Sequence, residues 1–350
     1  MNLLDLHIHT TESDGELTPA GLVEYAQSQG VSIIAKTDHN SIDGNEEAVE
    51  KGKEIDVSVI PGCELSVEDD FEGQRTKNHL HAYSMDPSKI SPELHDFFRR
   101  DAITKNNQAE NVARLAQQNP IELTDGTIIK PSFDDIRTFV ASDKVVHWGE
   151  FGAYIADKIN MLYNQRNNTE GEILIGMYQA LALFLNGDER YIAEYKERLA
   201  PYINSEIGNV GWKASYDKEL KATLMIEDAL KFVIEAGGAP VIAHPGEKNR
   251  LMKAETLEEK YKADERYLRH LQKLGLQGLE VYSPKNSPEQ TSAYHEIAKK
   301  IGLLISAGTD FHGANYSPDK QLGYRTKKGA ENMIPFPFEE VKPMIDILLR

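Results

Sequence analysis

Histidine and acidic side chains recur directly after short apolar segments, and this recurrence limits the folds open to the chain more than any other sequence feature. In chain order these side chains are His7, His9, Asp38, His39, Glu64, His244, Asp310 and His312. The apolar segments alternate with helical patterns, which predicts parallel strands joined by right-handed helical crossovers. Because the carboxyl ends of parallel strands face one crevice, we expect these side chains to meet there.

The same alternation places the chain in the α/β class. Thr18 and Pro19 predict the start of the first helix, since Thr caps helices and Pro suits the first helical position, and Gly30 ends that helix. Residues 67–78 are acidic and contain a glycine, so we predict a loop there between the third and fourth strands. The predicted strands number about seven and cover residues 3–8, 31–37, 57–63, 79–84, 239–243, 277–282 and 303–307.

The strand and helix alternation stops after about residue 91 and resumes at about residue 226. Residues 92–225 carry long polar helical patterns without a clear β partner, and their acids slightly outnumber their bases. We therefore predict two domains. Residues 1–91 and 226–350 form the α/β part, and residues 92–225 form a mainly helical inserted lid that determines substrate specificity.

The composition excludes several classes of function. A formal charge of −17, from 56 acidic and 39 basic residues, argues against binding of long nucleic acid. Cys63 is the single cysteine, so no internal disulfide or thiolate zinc cluster can form, and we expect a buried strand thiol. No apolar stretch is long enough to span a bilayer and the N-terminus lacks a targeting pattern, so we expect a cytoplasmic protein. The oligomeric state stays open.

Any one of the 11 histidines is more commonly a satisfied core or surface group than a metal ligand. Their joint placement at strand ends makes a metal-ligand role the better explanation, because buried imidazoles and carboxylates need partners. Divalent metals are the simplest common partner. With thiolate absent, nitrogen and oxygen ligands indicate zinc, manganese or iron.

Six segments in order resemble the motifs of the PHP (polymerase and histidinol phosphatase) family of metal-dependent phosphoesterases. They are DLHIHTTESDGELTP, AKTDHN, IPGCELS, NHLHAYSMD, IAHPG and GTDFHG. The resemblance covers about residues 1–90 and 226–315. It implies a distorted (β/α)7 barrel, in agreement with the seven strands counted above, and two or three divalent cations, Mn²⁺, Fe²⁺ or Zn²⁺, as cofactors.

The resemblance also implies three sets of metal ligands. One cation would be held by His7, His9, Glu64 and Asp310, a second by Glu64, His79 and His244, and a third by Asp14, His39 and His312. His81 competes with His79, because residues two apart on a strand share a face. We favour His79, since HLHAYSMD aligns with the family's pattern at that histidine.

The metal sets predict hydrolysis of a phosphoric ester by a metal-bound water that is activated to hydroxide. No Ser-His-Asp, Cys-His or Walker-type arrangement is recognisable in the sequence. We predict a hydrolase of a small phosphorylated metabolite, a nucleotide or sugar phosphate that is either a monoester or a cyclic diester. One alternative is a 5'-3' exonuclease or oligoribonuclease on short nucleic acid. Another is a metal-binding scaffold without catalysis.

Six further residues have weaker support. Asp38 could orient a metal-bound imidazole, or cap a helix after residue 40. Lys36, in an apolar strand, could bind phosphate or form a salt bridge. The remaining four follow the strand LQGLEVY and could contact substrate or belong to a solvated loop: Tyr282, Ser283, Lys285 and Asn286.

Overall fold

A computed structural model describes residues 3–140, 145–147, 149–185, 188–205, 222–247, 251–326 and 328–350. These residues form an α/β fold with a mixed seven-stranded sheet, so the predicted class and strand count are confirmed. Within these ranges, every helix is too short or too polar to cross a bilayer.

The seven strands of the main sheet come from both ends of the chain, and they lie in the order β1-β2-β3-β4-β7-β8-β9. Pairing is parallel except where β4 meets β3 and β7, which it contacts in antiparallel register. The strands are β1 (Leu3–Ile8), β2 (Val31–Lys36), β3 (Ser58–Phe71), β4 (Gln74–Tyr83), β7 (Ala239–Ile242), β8 (Gly278–Tyr282) and β9 (Leu304–Ala307). A separate two-stranded hairpin contains β5 (Ile121–Glu122) and β6 (Ile128–Ile129).

The hairpin β3–β4 corrects one sequence prediction and shows the direction of the fourth strand. Residues 67–78 are not a loop, because both strands continue through this segment and turn only at Glu72 and Gly73, which have positive φ angles of 50° and 73°. The fourth strand is antiparallel to the third. A connection of two residues can join antiparallel strands only, since a parallel crossover needs a dozen residues or more.

Several helices begin where the sequence provides capping groups. Thr18 accepts a hydrogen bond from the backbone N–H of Gly21 at the start of α1, and Ser287 forms a capping box with Gln290 at the start of α10. The helices are α1 (Pro19–Ser28), α2 (Asn45–Ile55), α3 (Pro92–Gln118), α4 (Phe133–Val140), α5 (Glu150–Asn167), α6 (Met177–Ala180), α7 (Glu189–Leu199), α8 (Ile226–Glu235), α9 (Leu257–Lys273), α10 (Pro288–Ile301) and α11 (Phe338–Leu348). A π-helical turn, Leu181–Leu185, follows α6 directly.

The chain divides into two compact units. Unit 1 comprises Met1–Arg99, Ala222–His312 and Asp319–Arg350, and its core packs the main sheet against apolar faces of α8, α9, α10 and α11. Unit 2 comprises Arg100–Lys221 and Gly313–Pro318 and has its own hydrophobic core. The insertion thus contains more than helices, since the β5–β6 hairpin contributes Ile121 and Ile129 to that core.

The predicted barrel is not shown by this strand order. Among the described residues, the edges of the sheet meet through an isolated parallel bridge between Ile8 of β1 and Phe311, which follows β9. Backbone bonds around it join the N–H of His9 to the carbonyl of Phe311 at 2.9 Å and the N–H of Phe311 to the carbonyl of His7 at 3.4 Å. These bonds bring the first and last metal-binding motifs of the sequence together.

Candidate metal centre

Several candidate metal ligands lie at or just beyond strand ends of unit 1, as the sequence predicts. Glu64, predicted to close the third strand, does not, because β3 continues to Phe71. His7 lies in β1 and His9 just beyond it, while Glu64 lies within β3. His244 and Asp310 follow β7 and β9, and both have positive φ angles, 25° and 54°. Such backbone strain in residues other than glycine is common where a side chain must be aimed at a functional site.

Glu64 is the centre of the cluster. Its Oε1 lies 2.8 Å from His79 Nδ1, 2.9 Å from His244 Nε2 and 3.4 Å from His7 Nε2. Its Oε2 lies 2.9 Å from His39 Nδ1. A single carboxylate is therefore surrounded by imidazoles, more than are needed to satisfy one buried charge.

Asp310 contacts imidazoles of the cluster on one side and lysine ammonium groups on the other. Its Oδ1 lies 3.0 Å from His9 Nε2 and 3.2 Å from His7 Nε2. Its Oδ2 lies 2.5 Å from Lys285 Nζ, and Lys320 Nζ donates to the Asp310 carbonyl. Asp310 thus presents one oxygen to the imidazoles and the other to ammonium groups.

A second group of donors surrounds Asp14. His312 Nε2 lies 3.3 Å from Asp14 Oδ1, and His39 Nε2 lies 3.9 Å from Asp14 Oδ2. His9 joins this group as well, since its Nδ1 is 3.6 Å from Asp14 Oδ1. The ligand atoms of these four residues all lie within 4.8 Å of one another.

Eight of the nine predicted ligands thus fall into overlapping compact groups in unit 1, and the ninth, His244, joins them through its contact with Glu64. Similarly compact groups are formed by His7, His9, Glu64 and Asp310, by His39, Glu64 and His79, and by His7, His81 and Glu280. The first of these is the set that the family resemblance implies for one cation. The assignment of individual ligands stays a prediction.

Glu280 is a residue of the centre that sequence reasoning missed. It is fully buried in β8, its Oε1 lies 3.0 Å from His7 Nδ1, and its Oε2 accepts from the backbone N–H of His244 at 2.6 Å. The signal was present, because an acid in the otherwise apolar run GLEVY needs a partner.

Asp5 was missed for the same reason, as a lone acid in the apolar strand LLDLHI. Its carboxylate accepts from the backbone N–H of Thr309 at 3.0 Å and from the Thr309 hydroxyl at 2.8 Å. Burial raises the pKa of Asp5 to about 6, although these hydrogen bonds oppose the shift. Asp5 ties β1 to the segment after β9 that carries Asp310.

Lys36 and Asp38 form a buried pair, with Nζ 2.6 Å from Oδ2. Asp38 also accepts from the backbone N–H of Thr10 at 2.8 Å and from the Ser13 hydroxyl at 2.6 Å. These contacts hold the loop that carries His9 and Asp14. The alternative role of Asp38 as a helix cap is wrong, because α2 begins at residue 45 with Gly44 as its cap.

The four residues after β8 separate into two groups. Lys285 reaches the centre through Asp310. Asn286 instead accepts from the backbone N–H of Gly246 at 3.0 Å and donates to the Val281 carbonyl at 2.9 Å, and with Ser283 it is buried, which contradicts the alternative of a solvated loop. With Tyr282 these two residues line a cavity of about 530 Å³.

Electrostatics favour neutral forms of His9 and His244 and ionised forms of Glu64 and Asp310. Burial opposes protonation of His7, but Glu64, Glu280 and Asp310 hold the pKa of His7 well above its usual range. Burial and neighbouring imidazoles, first that of His312, lower the pKa of His9 to about 3, and burial and Lys285 lower that of His244 to about 3. Burial alone would raise the pKa of Glu64, but His79 and other imidazoles hold it well below its usual range. Metal ligands require neutral imidazoles and ionised carboxylates, so binding of a cation by His7 would release the proton of that ring.

The donor chemistry fits divalent transition metals. Imidazole nitrogens and carboxylate oxygens converge at separations of about 3–4 Å, and the one thiol, that of Cys63, is buried with a pKa raised by burial to about 12. A simple ion pair would need only one imidazole beside Glu64, whereas several surround it. The residues present are therefore suited to hold cations.

The PHP domain family matches residues 5–273 of the chain, well over half of its length. The chain belongs to the PHP domain family. This match begins at Asp5 and spans both the first motifs and the insertion, so the predicted family is confirmed.

Several enzymes resemble this PHP chain over most of its length. A 3',5'-nucleoside bisphosphate phosphatase of Chromobacterium violaceum is 26% identical over 88% of this chain and 87% of its own. A 5'-3' exoribonuclease of Haemophilus influenzae is 24% identical over 88% and 89%. A phosphoribosyl 1,2-cyclic phosphate 1,2-diphosphodiesterase of Eggerthella lenta is 22% identical over 92% and 98%.

Solved structures agree on the fold. A protein of Bifidobacterium adolescentis, described as a candidate metal-dependent phosphoesterase, superposes with a TM-score of 0.63 at 23% identity and covers 99% of this chain and 96% of its own. The relatives above are all named as enzymes that cleave phosphoric esters. The predicted enzyme class, a hydrolase of phosphoric ester bonds in the PHP family, is therefore confirmed.

Proposed function

We propose that this PHP chain hydrolyses a small phosphorylated metabolite, a nucleotide or sugar phosphate that is either a monoester or a cyclic diester. The observation that carries the proposal is the convergence of imidazoles and carboxylates on Glu64 and Asp14 within unit 1. The names of the phosphatase and cyclic phosphodiesterase relatives support this substrate class.

The proposed ligands are those that the family resemblance implies. His7, His9, Glu64 and Asp310 would hold one cation, Glu64 with His79 and His244 a second, and Asp14 with His39 and His312 a third. Bound divalent cations offset the charge of a phosphate and lower the pKa of water toward neutrality. Zinc, manganese and iron all suit these donors.

The side chains of the centre differ in exposure, and this difference indicates where a substrate enters. His7 and Glu64 are fully buried, whereas the side chains of His39 and His79 keep 18% exposure and Lys285 keeps 26%. We propose that the phosphate approaches between these three groups, with the Lys285 ammonium binding one of its oxygens. Asp310 and Glu247 raise the pKa of Lys285 although burial lowers it, so it stays charged.

Residues 92–225 are proposed as a lid that selects the substrate. All nine proposed ligands belong to unit 1, so unit 2 is left without a share in the metal chemistry. His147 and Arg166, both in unit 2, have local partners: the ring of His147 accepts from Gly149 N–H at 3.1 Å, and Arg166 donates to the Pro201 carbonyl. Neither side chain is proposed as a substrate ligand.

Turnover assays test the proposal directly. A panel of nucleotide and sugar monophosphates, nucleoside bisphosphates and cyclic phosphates is incubated with the protein and added Mn²⁺ or Zn²⁺, and phosphate release and ring opening are measured. We expect at least one compound to be hydrolysed, and His39→Ala or Asp310→Asn to abolish turnover while circular dichroism stays unchanged. His270→Ala, outside the proposed ligand sets, is the matched control. If no compound in the panel reacts, the proposal fails.

A nuclease acting on short oligonucleotides is the second candidate, favoured by the exoribonuclease relatives. The net charge of −17 weighs against long nucleic acid but is compatible with a short substrate. End-labelled RNA and DNA oligomers separate the two candidates. Cleavage of oligomers with a higher kcat/KM than any mononucleotide would replace the first proposal with the second.

A further inference from the structure

His81 lies directly opposite Glu64 in the β3–β4 ladder, and neither side chain is exposed to solvent. Residues directly opposite each other in antiparallel strands point to the same face and stand within about 5 Å of each other at Cβ. His79 shares this face, since it is two residues away on β4. His79 and His81 can therefore both face the metal centre, and they need not be alternatives for a single ligand position.

The hydrogen bonds of Tyr83 determine which nitrogen of His81 carries the proton. The single phenol proton of Tyr83 is donated to the Leu6 carbonyl at 2.6 Å, because a carbonyl cannot donate. The Tyr83 oxygen also lies 2.8 Å from His81 Nδ1, so it accepts the N–H of His81 there. A neutral His81 consequently has its proton on Nδ1 and a lone pair on Nε2.

That lone pair is buried without a hydrogen-bond partner among the described residues. Its nearest carboxylate atom is Glu64 Oε1 at 4.0 Å, too far for a hydrogen bond and in any case another acceptor. Burying two hydrogen-bond acceptors that face each other costs free energy unless a cation lies between them. A separation of 4.0 Å is just within the span of two ligands of one metal, each about 2.1 Å from it, and a small movement of His81 would bring the pair to tetrahedral spacing.

His7 is oriented in the same way. Its Nδ1 contacts Glu280, and its Nε2 faces Glu64 and Asp310. A histidine that binds a metal through one ring nitrogen usually donates the N–H of the other nitrogen to such an acceptor. His81 also lies near Glu280, but a cation shared by His7, His81 and Glu280 would require His7 to break its contact with Glu280.

We propose that His81 is a metal ligand through Nε2, and that it binds together with His79 the cation shared by Glu64 and His244. The inference rests on the proposed metal centre. It gives this cation three imidazoles and one carboxylate, a set that selects zinc or iron over manganese and magnesium. Neither the strand-end pattern nor the family resemblance assigns this role.

Metal binding and stability, measured without substrate, test the inference. For His81→Leu we expect the affinity for the most weakly bound zinc to fall on the order of 10–100-fold. The visible absorption of the cobalt-substituted protein should change, because one nitrogen ligand is lost. In excess chelator the melting temperature should be unchanged or higher, since the variant removes a buried unsatisfied nitrogen. The rise in melting temperature on adding zinc should shrink.

A purely structural His81 predicts the opposite result. His81→Leu would then lower the melting temperature in chelator and leave zinc affinity and the cobalt spectrum as in the unmodified protein, which would overturn the inference. His270→Leu, on α9, is the matched control for loss of an imidazole. If His81→Leu does not fold, Tyr83→Phe replaces it, and an unchanged zinc affinity and cobalt spectrum in that variant would overturn the inference. A protein that binds zinc but hydrolyses nothing would refute the proposed function alone.

Discussion

At the scale of single residues, two imidazoles of the centre, those of His7 and His312, are oriented by an acceptor at Nδ1. His7 meets Glu280 through Nδ1, and His312 meets the carbonyl of Asp310 through Nδ1 at 3.0 Å. In both residues Nε2 then faces a carboxylate of the centre, Asp310 or Asp14. The acceptors therefore orient the Nε2 lone pairs toward the centre before a metal binds, which lowers the free-energy cost of forming the metal site.

Glu280→Gln tests this orientation. We expect metal affinity to fall about 10–100-fold, because the amide is uncharged and supports the His7 ring less strongly than the carboxylate. Competition with a chromophoric chelator measures the affinity. Glu296→Gln, whose side chain is 80% exposed, is the control and should bind metal normally. Equal affinity in the two variants would show that Glu280 does not orient His7.

Cys63 offers a second test at this scale. Its thiol is fully buried and burial raises its pKa to about 12, so the group is protonated at neutral pH. We expect no reaction with a thiol reagent in the folded protein and one equivalent of reaction in denaturant. Fast labelling of the folded protein would mean that β3 opens readily beside Glu64.

At the scale of elements, the centre depends on close approach between strands. The backbone at Gly308, after β9, passes so near β1 that a Cβ there would lie 2.2 Å from His7 Cβ and 2.8 Å from Glu280 Oε1. Only glycine fits between these two groups. The carboxyl end of β9 thus fixes the position of β1 side chains that lie some 300 residues earlier in the sequence.

Gly308→Ala should therefore disturb the centre through packing alone. We expect a loss of about 1–3 kcal/mol in the free energy of unfolding from overpacking. Metal content should fall as well, because His7 must move. Gly30→Ala is the matched control, since φ is 73° there but no atom lies within 4 Å of the new Cβ. It should cost about 1–2 kcal/mol of backbone strain with full metal content. Normal metal content in Gly308→Ala would contradict this account of the strand contact.

At the scale of the whole molecule, the described residues form two hydrophobic cores and contain the proposed metal centre. Unit 1 contains every proposed ligand, and unit 2 has its own core around α5 and the π-helical turn. A ligand that binds only the folded state stabilises the unit that holds it. The stabilities of the two units are therefore expected to respond differently to metal.

Calorimetry with and without chelator measures this difference. Removing metal should lower the melting temperature of one transition and leave the other in place. A cation at 100 times its dissociation constant contributes about 2.7 kcal/mol per site. Limited proteolysis after chelation should cut the segments of unit 1 first. A single transition that shifts as a whole would show that the two units unfold together.

Features that are local in the sequence could be predicted from it. The α/β class, the seven strands, the family and the placement of His7 and Asp310 near strand ends all follow from patterns within a few residues of each position. Hydrophobic period, capping groups and short motifs act over such distances. The ligand roles of these residues stay predictions that rest on the family.

Only the tertiary structure decided how distant side chains meet. The contact of Glu280 with His7 joins residues 273 positions apart. The antiparallel partner of Glu64 proved to be His81, in a strand whose direction and register the sequence did not indicate. Lys36 found Asp38 as its partner, and of the four residues after β8 Lys285 reaches Asp310. The sequence shows that a polar residue in an apolar strand needs a partner. Which partner it contacts depends on strand order and register, and the packing of the whole sheet determines both.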